Sequence, residues 1–455
     1  MTLKVAILAA GQGTRMRSRL PKVLHTIANK PLLQWVLQAA QGLQPEETFV
    51  IYGYQGEQVK TAFAGQKVTW VAQTEQLGTG HALQQVLPLL KDKSQVLVLL
   101  GDTPLISTTT LQRLLTSTDK DEVGLVTALV EEPTGLGRIL RNKNDAVVGI
   151  VEEKDATADE KLIDEINTGI MLFPAKKLKA WLAQLKNNNT QNEYYLTDVI
   201  ALAVADSINI KTVQPEFNEE IIGVNDRTQL AELESIYQAQ AAEFLMQQGV
   251  TLRDPSRFDL RGELKAEQDV TIDINVIIEG KVTIGRDTNI GANVQLKNVV
   301  IGEGVTILPN CILEDSIVGN ACIIGPFARL RPGTELADYV KIGNFVETKK
   351  TIVDSYSKLP HHAYVGDAEI GKNVNIGAGV ITCNYDGVDK HKTIIGDNAF
   401  IGTDSQLIAP VKIGKGAYIA AGSSINKDAP ADKLTVARAK QKTIENWQRP
   451  KKKKD

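Results

Sequence analysis

Beyond about residue 270 the chain repeats every six residues, and few folds tolerate that period. Ile272, Ile278, Ile284, Ile290 and Leu296 form one run. Ile301, Ile307 and Leu313 form the next, and Val318, Ile324, Leu330, Leu336 and Ile342 a third, with a one-residue slip at each junction. Ile395, Ile401, Leu407, Ile413, Ile419 and Ile425 close the series. Four residues after each anchor the side chain is usually small or short, as at Ala399, Ser405, Val411, Ala417 and Ser423. A helix would repeat at about 3.6 residues and a flat strand at about 2. The six-residue period is instead that of a parallel β-helix, in which each coil stacks on the one before. Two segments break it, "FVETKKTIVDSYSKLPHHAY" (345–364) and "TCNYDGVDKHKT" (382–393). In a rigid solenoid such interruptions are where loops and sites belong.

The chain has 455 residues, too many for one ordinary core, so two or more domains are expected. Glycine is plentiful at 36 residues and aromatics amount to 5%, which suits a turn-rich architecture over much of the length. A net charge of −3 implies no general attraction to nucleic acid or to an anionic membrane, and neither is expected as a partner. No apolar run is long enough to cross a bilayer, and "MTLKVAILAAG" reads as a buried first strand rather than a secretory segment. Cys311, Cys322 and Cys383 are odd in number and lack CxxC spacing. That argues against a disulfide framework or structural zinc and for a reducing, cytoplasmic setting.

The first half has a different rhythm. "KVAILAA" is a continuous apolar run ending at a glycine, as expected of a strand covered on both faces. "PLLQWVLQAAQGL" has helical spacing with Pro31 in its first turn. "TFVIYG", "VTWVA" and "QVLVLLGD" read as further strands and "GHALQQVLPLL" as a helix. Such alternation predicts an α/β, Rossmann-like domain over 1–226, with a mostly parallel sheet and ligands beyond its C-terminal strand ends. "TQLAELESIYQAQAAEFLMQQG" is a helix stopped by Gly249, and it is expected to connect the two periodicities over 227–250. The β-helix then spans 251–437. A basic tail, 438–455, ends in four consecutive lysines and a final aspartate, and reads as a solvated end.

Two motifs sit at predicted strand ends. In "LAAGQGTRMRSRLPK", Gly11 and Gly13 allow close backbone approach to a ligand. Their N–H groups can cradle phosphates beside Arg15, Arg17, Arg19 and Lys22. The spacing is neither the dinucleotide GxGxxG nor a Walker A loop. A turn with solvated basic residues is the competing reading. In "VLLGDTPL", Asp102 could hold Mg²⁺ against substrate phosphates or serve only as a turn or N-cap aspartate.

The first of these stretches resembles the signature of the sugar-1-phosphate nucleotidylyltransferases. "QTEQLGTGHA" and "EINTG" sit where the uridylyltransferase members carry similar segments. The resemblance implies that Arg15 and Lys22 contact UTP phosphates, that Gln73, Gly78 and Thr79 read the uracil, and that Gly137, Glu152 and Asn167 hold the sugar. It also implies Mg²⁺, with Mn²⁺ equally compatible, on Asp102 and Asn225. The nucleophile is then a sugar phosphate oxygen, already anionic near neutral pH, so no general base is required. In-line positioning and neutralisation of triphosphate charge are the work to be done.

The second half carries "RLRPGTEL", "NFVETKK", "GDAEIGKNVNIGAG" and "CNYDG". With these, nearly the whole chain resembles the bacterial family of bifunctional N-acetylglucosamine-1-phosphate uridylyltransferases and glucosamine-1-phosphate N-acetyltransferases. That resemblance implies a left-handed β-helix, a homotrimer, and acetyl-CoA bound between subunits. It puts Arg331, Lys349, Tyr364 and Asn375 on the amino sugar phosphate, and Ala378, Asn384, Tyr385, Thr403, Ala421 and Arg438 on acetyl-CoA. Thr403 stands where the family often has serine, and the hydroxyl is retained. A protonated amino sugar must lose a proton before attacking a thioester, and an imidazole suits that task. Counting back from Ile370 puts Tyr364 and Lys358 at anchors, with His361 three after an anchor, facing outward, and His362 four after. The resemblance names His361 as the general base. The alternative is a single-activity nucleotidylyltransferase whose β-helix is structural or regulatory.

Overall fold

Alternate residues of the N-terminal strands enter two different cores. Val5 and Ile7 pack in one cluster with Val50, Leu97 and Leu99, while Ala6 packs in another with Phe49, Ile51, Val96 and Val98. A strand whose two faces are both buried needs apolar residues at successive positions, which is why "KVAILAA" is continuous. The computed structural model describes residues 2–450 and 452. It divides into two compact units, 1–237 and 238–455. The division falls inside the helix Arg227–Gln247. Apart from Lys452, the terminal lysine run lies outside the described residues.

The first unit is built on a sheet with the order Ile210–Val213, Val123–Leu129, Glu165–Pro174, Ser94–Leu100, Thr2–Ala9, Glu47–Tyr52, Thr69–Ala72. Thr2–Ala9 pairs in parallel with Glu47–Tyr52 on one side and with Ser94–Leu100 on the other. The chain thus leaves its first strand to one side and later returns to the other. Such a reversal opens a crevice beyond the strand ends. The loop from Gly11 to Lys22 and the turn at Asp102 both border it. Glu165–Pro174 is antiparallel to both its neighbours, so the sheet is mixed rather than wholly parallel. A hairpin, Gly137–Arg141 and Val147–Val151, branches from that strand.

The second unit is the hexapeptide left-handed parallel β-helix. Ile272, Ile290, Ile307, Ile324, Ile342 and Leu359 lie on successive coils of one parallel ladder, each paired with a residue 17 or 18 further along. A coil is therefore three hexads, with the one-residue slips absorbed at corners. Many corner residues have left-handed backbone. Asn275, Asn293 and Asn310 hold φ near +60°, where asparagine is tolerated, and their amides hydrogen-bond from coil to coil at 2.9 and 3.1 Å. The same corner continues with Phe327, Phe345 and His362, residues seldom found there.

The structure corrects one expectation here. Residues 345–364 are not an interruption. Glu347–Val353 and Lys358–His361 are in-register strands of ordinary coils. Thr348 fills an inward slot with 0% exposure, and its hydroxyl is hydrogen-bonded to Thr334 at 3.0 Å. A satisfied hydroxyl substitutes for an aliphatic anchor there, which masks the period. The buried anchors are Leu359 and Val365, not Lys358 and Tyr364. His361 accordingly stands two after an anchor and His362 three after, both exposed, while Ala363 is the small buried residue at position four. The second segment is a true insertion: Ile376 pairs with Ile401, 25 residues on, because the chain loops out after Asn384.

Candidate functional sites

In the first unit, Gly13 adopts φ +59°, and a Cβ there would lie 2.8 Å from the Cβ of Lys22. The lysine stem therefore packs directly on the glycine loop. Its ammonium bonds to Asp102 Oδ2 and, at 3.3 Å, to Asn225 Oδ1. These three residues are far apart in sequence and meet at the crevice. Arg15 is exposed on the same loop. A cleft of about 560 Å³ opens beside them, lined by Lys22, Asp102, Gln73, Gly78 and Thr79. Gln73 is almost fully buried and donates to Gly78 O at 3.1 Å, with His81 Nδ1 at the same distance. Gly78 has φ +104°, and a Cβ there would meet Tyr194 O at 2.7 Å, so only glycine fits.

Gly137, Glu152 and Asn167 gather where the branch hairpin meets the strand Glu165–Pro174. Asn167 pairs with Gly137 across strands, and a Cβ at Gly137 would lie 3.5 Å from Glu152 Oε2. Burial pushes the Glu152 carboxyl above its usual range, and a hydrogen bond from the Thr197 hydroxyl, 2.9 Å, partly opposes that. One segment ties the two groups together. Tyr194 O accepts from Gly80 N at 2.8 Å, Leu196 N donates to Thr79 Oγ1 at 3.1 Å, and Thr197 holds Glu152. Residues 194–197 carry no motif, and sequence reasoning passed over them.

In the second unit, Asn344, His361, Ala378, Thr403 and Ala421 occupy the same place on successive coils. Asn344 pairs with His361. Gly379 N then bonds to His362 O, Asp404 N to Ala378 O, and Gly422 N to Thr403 O, at 2.9, 2.7 and 2.8 Å. Arg438 donates to Ala421 O at 2.5 Å. The candidate base and four candidate acetyl-CoA residues thus form one stripe. His361 Nδ1 faces Asn344 Oδ1 at 2.7 Å. A carbonyl oxygen only accepts, so Nδ1 is the donor, which in the neutral ring leaves Nε2 with its lone pair. The His362 ring lies instead 5.0 Å from that of Phe345.

Past the corner, Arg331 and Lys349 stand at equivalent positions of neighbouring coils. Arg331 bonds to Glu347 at 2.7 Å, and Glu347 pairs with Tyr364 across strands. Lys349 is pulled below the usual lysine range, first by the Lys390 ammonium beside it and also by Arg331. Lys390 belongs to the inserted loop and was not foreseen. Asn384, on the same loop, donates to Asp367 at 2.5 Å, and Tyr385 is exposed. His391 closes the loop on Asp386, whose carboxyl it holds well below the usual range. Asn375 is not brought to this cluster. It lies on the other face, between Lys358 and Phe400. Asn384 and Tyr385 are likewise separated by the corner from the stripe of Ala378, Thr403 and Ala421. Burial raises the thiols of Cys311 and Cys322 to about 11, which makes them poor nucleophiles.

The fold and its two polar sites define a class: a nucleotidyltransferase domain joined to a hexapeptide-repeat transferase domain. Comparisons with known proteins agree. Residues 5–189 match the MobA-like NTP transferase domain, 260–368 the GMPPB C-terminal domain, and 392–427 the bacterial transferase hexapeptide repeats. The "Bifunctional protein GlmU" of Idiomarina loihiensis is 54% identical over 100% of both chains. That of Acinetobacter baylyi is 54% identical over 99% of both, and that of Azoarcus sp. 52% over 98% of this chain and 99% of its own. The chain belongs to the family of the bifunctional protein GlmU.

Proposed function

We infer that the chain makes UDP-N-acetylglucosamine at two independent sites. The observation that carries this is that the two polar constellations, Lys22–Asp102–Asn225 and the His361 stripe, lie in different compact units. In the β-helix unit, the amine of glucosamine-1-phosphate attacks the thioester carbonyl of acetyl-CoA. His361 Nε2 takes the amine proton as the C–N bond forms, and returns it to the departing CoA sulfur as the C–S bond breaks. Asn344 keeps the other ring nitrogen protonated. Arg331, Lys349 and Lys390 supply positive charge for the sugar phosphate; the two lysines already repel each other and gain from an anion between them. Tyr364 lies on that side; Asn375, on the face that carries His361, would meet the sugar there.

In the first unit, a phosphate oxygen of N-acetylglucosamine-1-phosphate attacks the α-phosphorus of UTP, and the α–β bond breaks to release pyrophosphate. Arg15 and Lys22 neutralise triphosphate charge. Gln73, Gly78 and Thr79 hold the uracil, and Gly137, Glu152 and Asn167 the sugar. Asp102 and Asn225 would be the oxygen donors for Mg²⁺ or Mn²⁺; that an ammonium already bridges them is the sign that the pair suits a cation. The metal would supply charge stabilisation on the phosphates.

The separation of Asn384 and Tyr385 from the Ala378–Thr403–Ala421–Arg438 stripe supports an acetyl-CoA site completed by a neighbouring subunit. Exposed Val300 and Ile317 on successive coils, with Ile352 one coil beyond the intervening Glu335, offer apolar surface for the homotrimer. Three free cysteines favour a cytoplasmic setting, and no helix among the described residues is long and apolar enough to cross a membrane. The test supplies glucosamine-1-phosphate, acetyl-CoA and UTP together and follows products by mass spectrometry. UDP-N-acetylglucosamine with one CoA and one pyrophosphate each is the expected outcome. Uridylyl transfer to supplied N-acetylglucosamine-1-phosphate without release of CoA thiol from glucosamine-1-phosphate would favour the single-activity alternative.

A further inference from the structure

The cation that bridges Asp102 and Asn225 belongs to the chain itself. Lys22 Nζ contacts Asp102 Oδ2 and Asn225 Oδ1 at once, and the Lys22 and Asp102 side chains are only 13% and 20% exposed. The two oxygens belong to the same two side chains that the uridylyl-transfer reading assigns to the metal. An ammonium and a divalent cation drawn to one carboxylate repel each other. We propose that Lys22 is an internal competitor of the metal, which yields Asp102 and Asn225 only when a triphosphate takes over its charge. The inference rests on the reading of Asp102 and Asn225 as metal holders.

The physical argument is one of unpaired charge. A divalent cation arriving alone must part the ammonium from Asp102, leaving a largely buried lysine without its counter-charge, which is disfavoured. A cation arriving with a nucleotide brings phosphate oxygens that re-pair the lysine. The route between the two partners is short. The Lys22 stem lies on Gly13, the left-handed residue of the glycine loop, so side-chain torsions alone can carry Nζ from Asp102 towards that loop. Metal and nucleotide then raise each other's affinity by the same factor, because coupling between two ligands is reciprocal. The arrangement keeps the free enzyme from holding a metal without its nucleotide.

The test measures Mn²⁺ binding to the full chain by loss of the free-ion EPR signal, with and without α,β-methylene-UTP. The proteins are wild type, Lys22→Met, Lys22→Gln, Lys22→Arg, Asp102→Asn and the double variant Lys22→Met/Asp102→Asn. Without nucleotide, removal of the competitor in Lys22→Met and Lys22→Gln is expected to tighten Mn²⁺ binding about tenfold or more over wild type. Lys22→Arg keeps the positive charge and stays weak. The analogue should tighten binding to wild type far more than to Lys22→Met. Equal nucleotide-free affinities for wild type, Lys22→Met and Lys22→Gln, all lost in Asp102→Asn, would overturn the competition while leaving the metal site standing. Binding unaffected by Asp102→Asn, with analogue present as well as absent, would instead overturn the metal assignment.

Discussion

Asn344 offers a sharp test of how the acetyl site works, because it touches the candidate base and nothing of the substrate chemistry is required of it. Its Oδ1 lies 2.7 Å from His361 Nδ1. A neutral hydrogen bond contributes about 0.5–1.5 kcal/mol net, and one to a charged partner about 1.5–3. The ring is neutral before proton transfer and gains charge as it takes the proton. The bond should therefore strengthen by about 1–1.5 kcal/mol in the transition state, which is roughly 5- to 10-fold in rate. Loss of the ring's fixed orientation adds to this. Asn344→Leu should lower kcat for acetyl transfer about 10- to 30-fold with little change in KM for acetyl-CoA. Asn344→Asp, which keeps an acceptor in place, should stay within a few-fold of wild type. Thiol release from acetyl-CoA measures the step, and uridylyl transfer in the same chain controls for folding. The reasoning is refuted if Asn344→Leu acts as wild type, or if Asp fails to rescue where Leu is impaired.

The neighbouring rings should separate cleanly: His361→Ala is expected to reduce acetyl transfer about 10²- to 10⁴-fold, whereas His362→Asn, suited to that left-handed corner, loses only ring stacking. Equal losses would sink the assignment. Asp102→Ala should reduce uridylyl transfer about 10²-fold or more and spare acetyl transfer; loss of both in a protein that melts normally would contradict independent sites. Glu152 titrates above its usual range because it is buried, so its ionised form opposes folding; that deficit grows as pH rises from the unfolded-state value to the folded-state one, is full above it, and vanishes well below the unfolded one. Glu152→Gln should then raise the melting temperature near pH ~8 but not near pH ~3, while raising KM for the sugar phosphate; no pH dependence in the difference would refute the burial argument. Leu359→Ala empties a slot of 0% exposure and should cost about 2–5 kcal/mol in the β-helix. Hydrogen exchange should quicken on adjoining coils only, since solenoid coils stabilise their neighbours.

The β-helix was legible because its constraint is local and repeated: an inward slot every six residues, filled mostly by Ile, Val or Leu. The glycine loop and the buried strand before Asp102 were legible for the same reason, since backbone conformation and two-sided burial leave marks on adjacent residues. The period is hidden at residues 345–364, where Thr348 occupies a core slot with its hydroxyl satisfied by Thr334. Whether a threonine faces in or out depends on a partner one coil away, which composition does not encode. His361 faces outward on either count, three after Lys358 or two after the buried Leu359.

What the chain's order of residues determined by itself was therefore periodicity: an alternating α/β half, a six-residue solenoid, and the loops where chemistry could sit. What only the tertiary structure decided was convergence. Lys22 and Asp102 meet because Thr2–Ala9 and Ser94–Leu100 are parallel neighbours at the point where the order of strand addition reverses, and Asn225 joins them from the far end of the unit. Lys390 comes beside Lys349 because an inserted loop folds back across the coils. Thr197 reaches Glu152 through a segment without any motif. Hydrogen bonds and charge act over a few ångströms in space, and the strand pairings that bring such residues within reach are set by the packing of the whole unit.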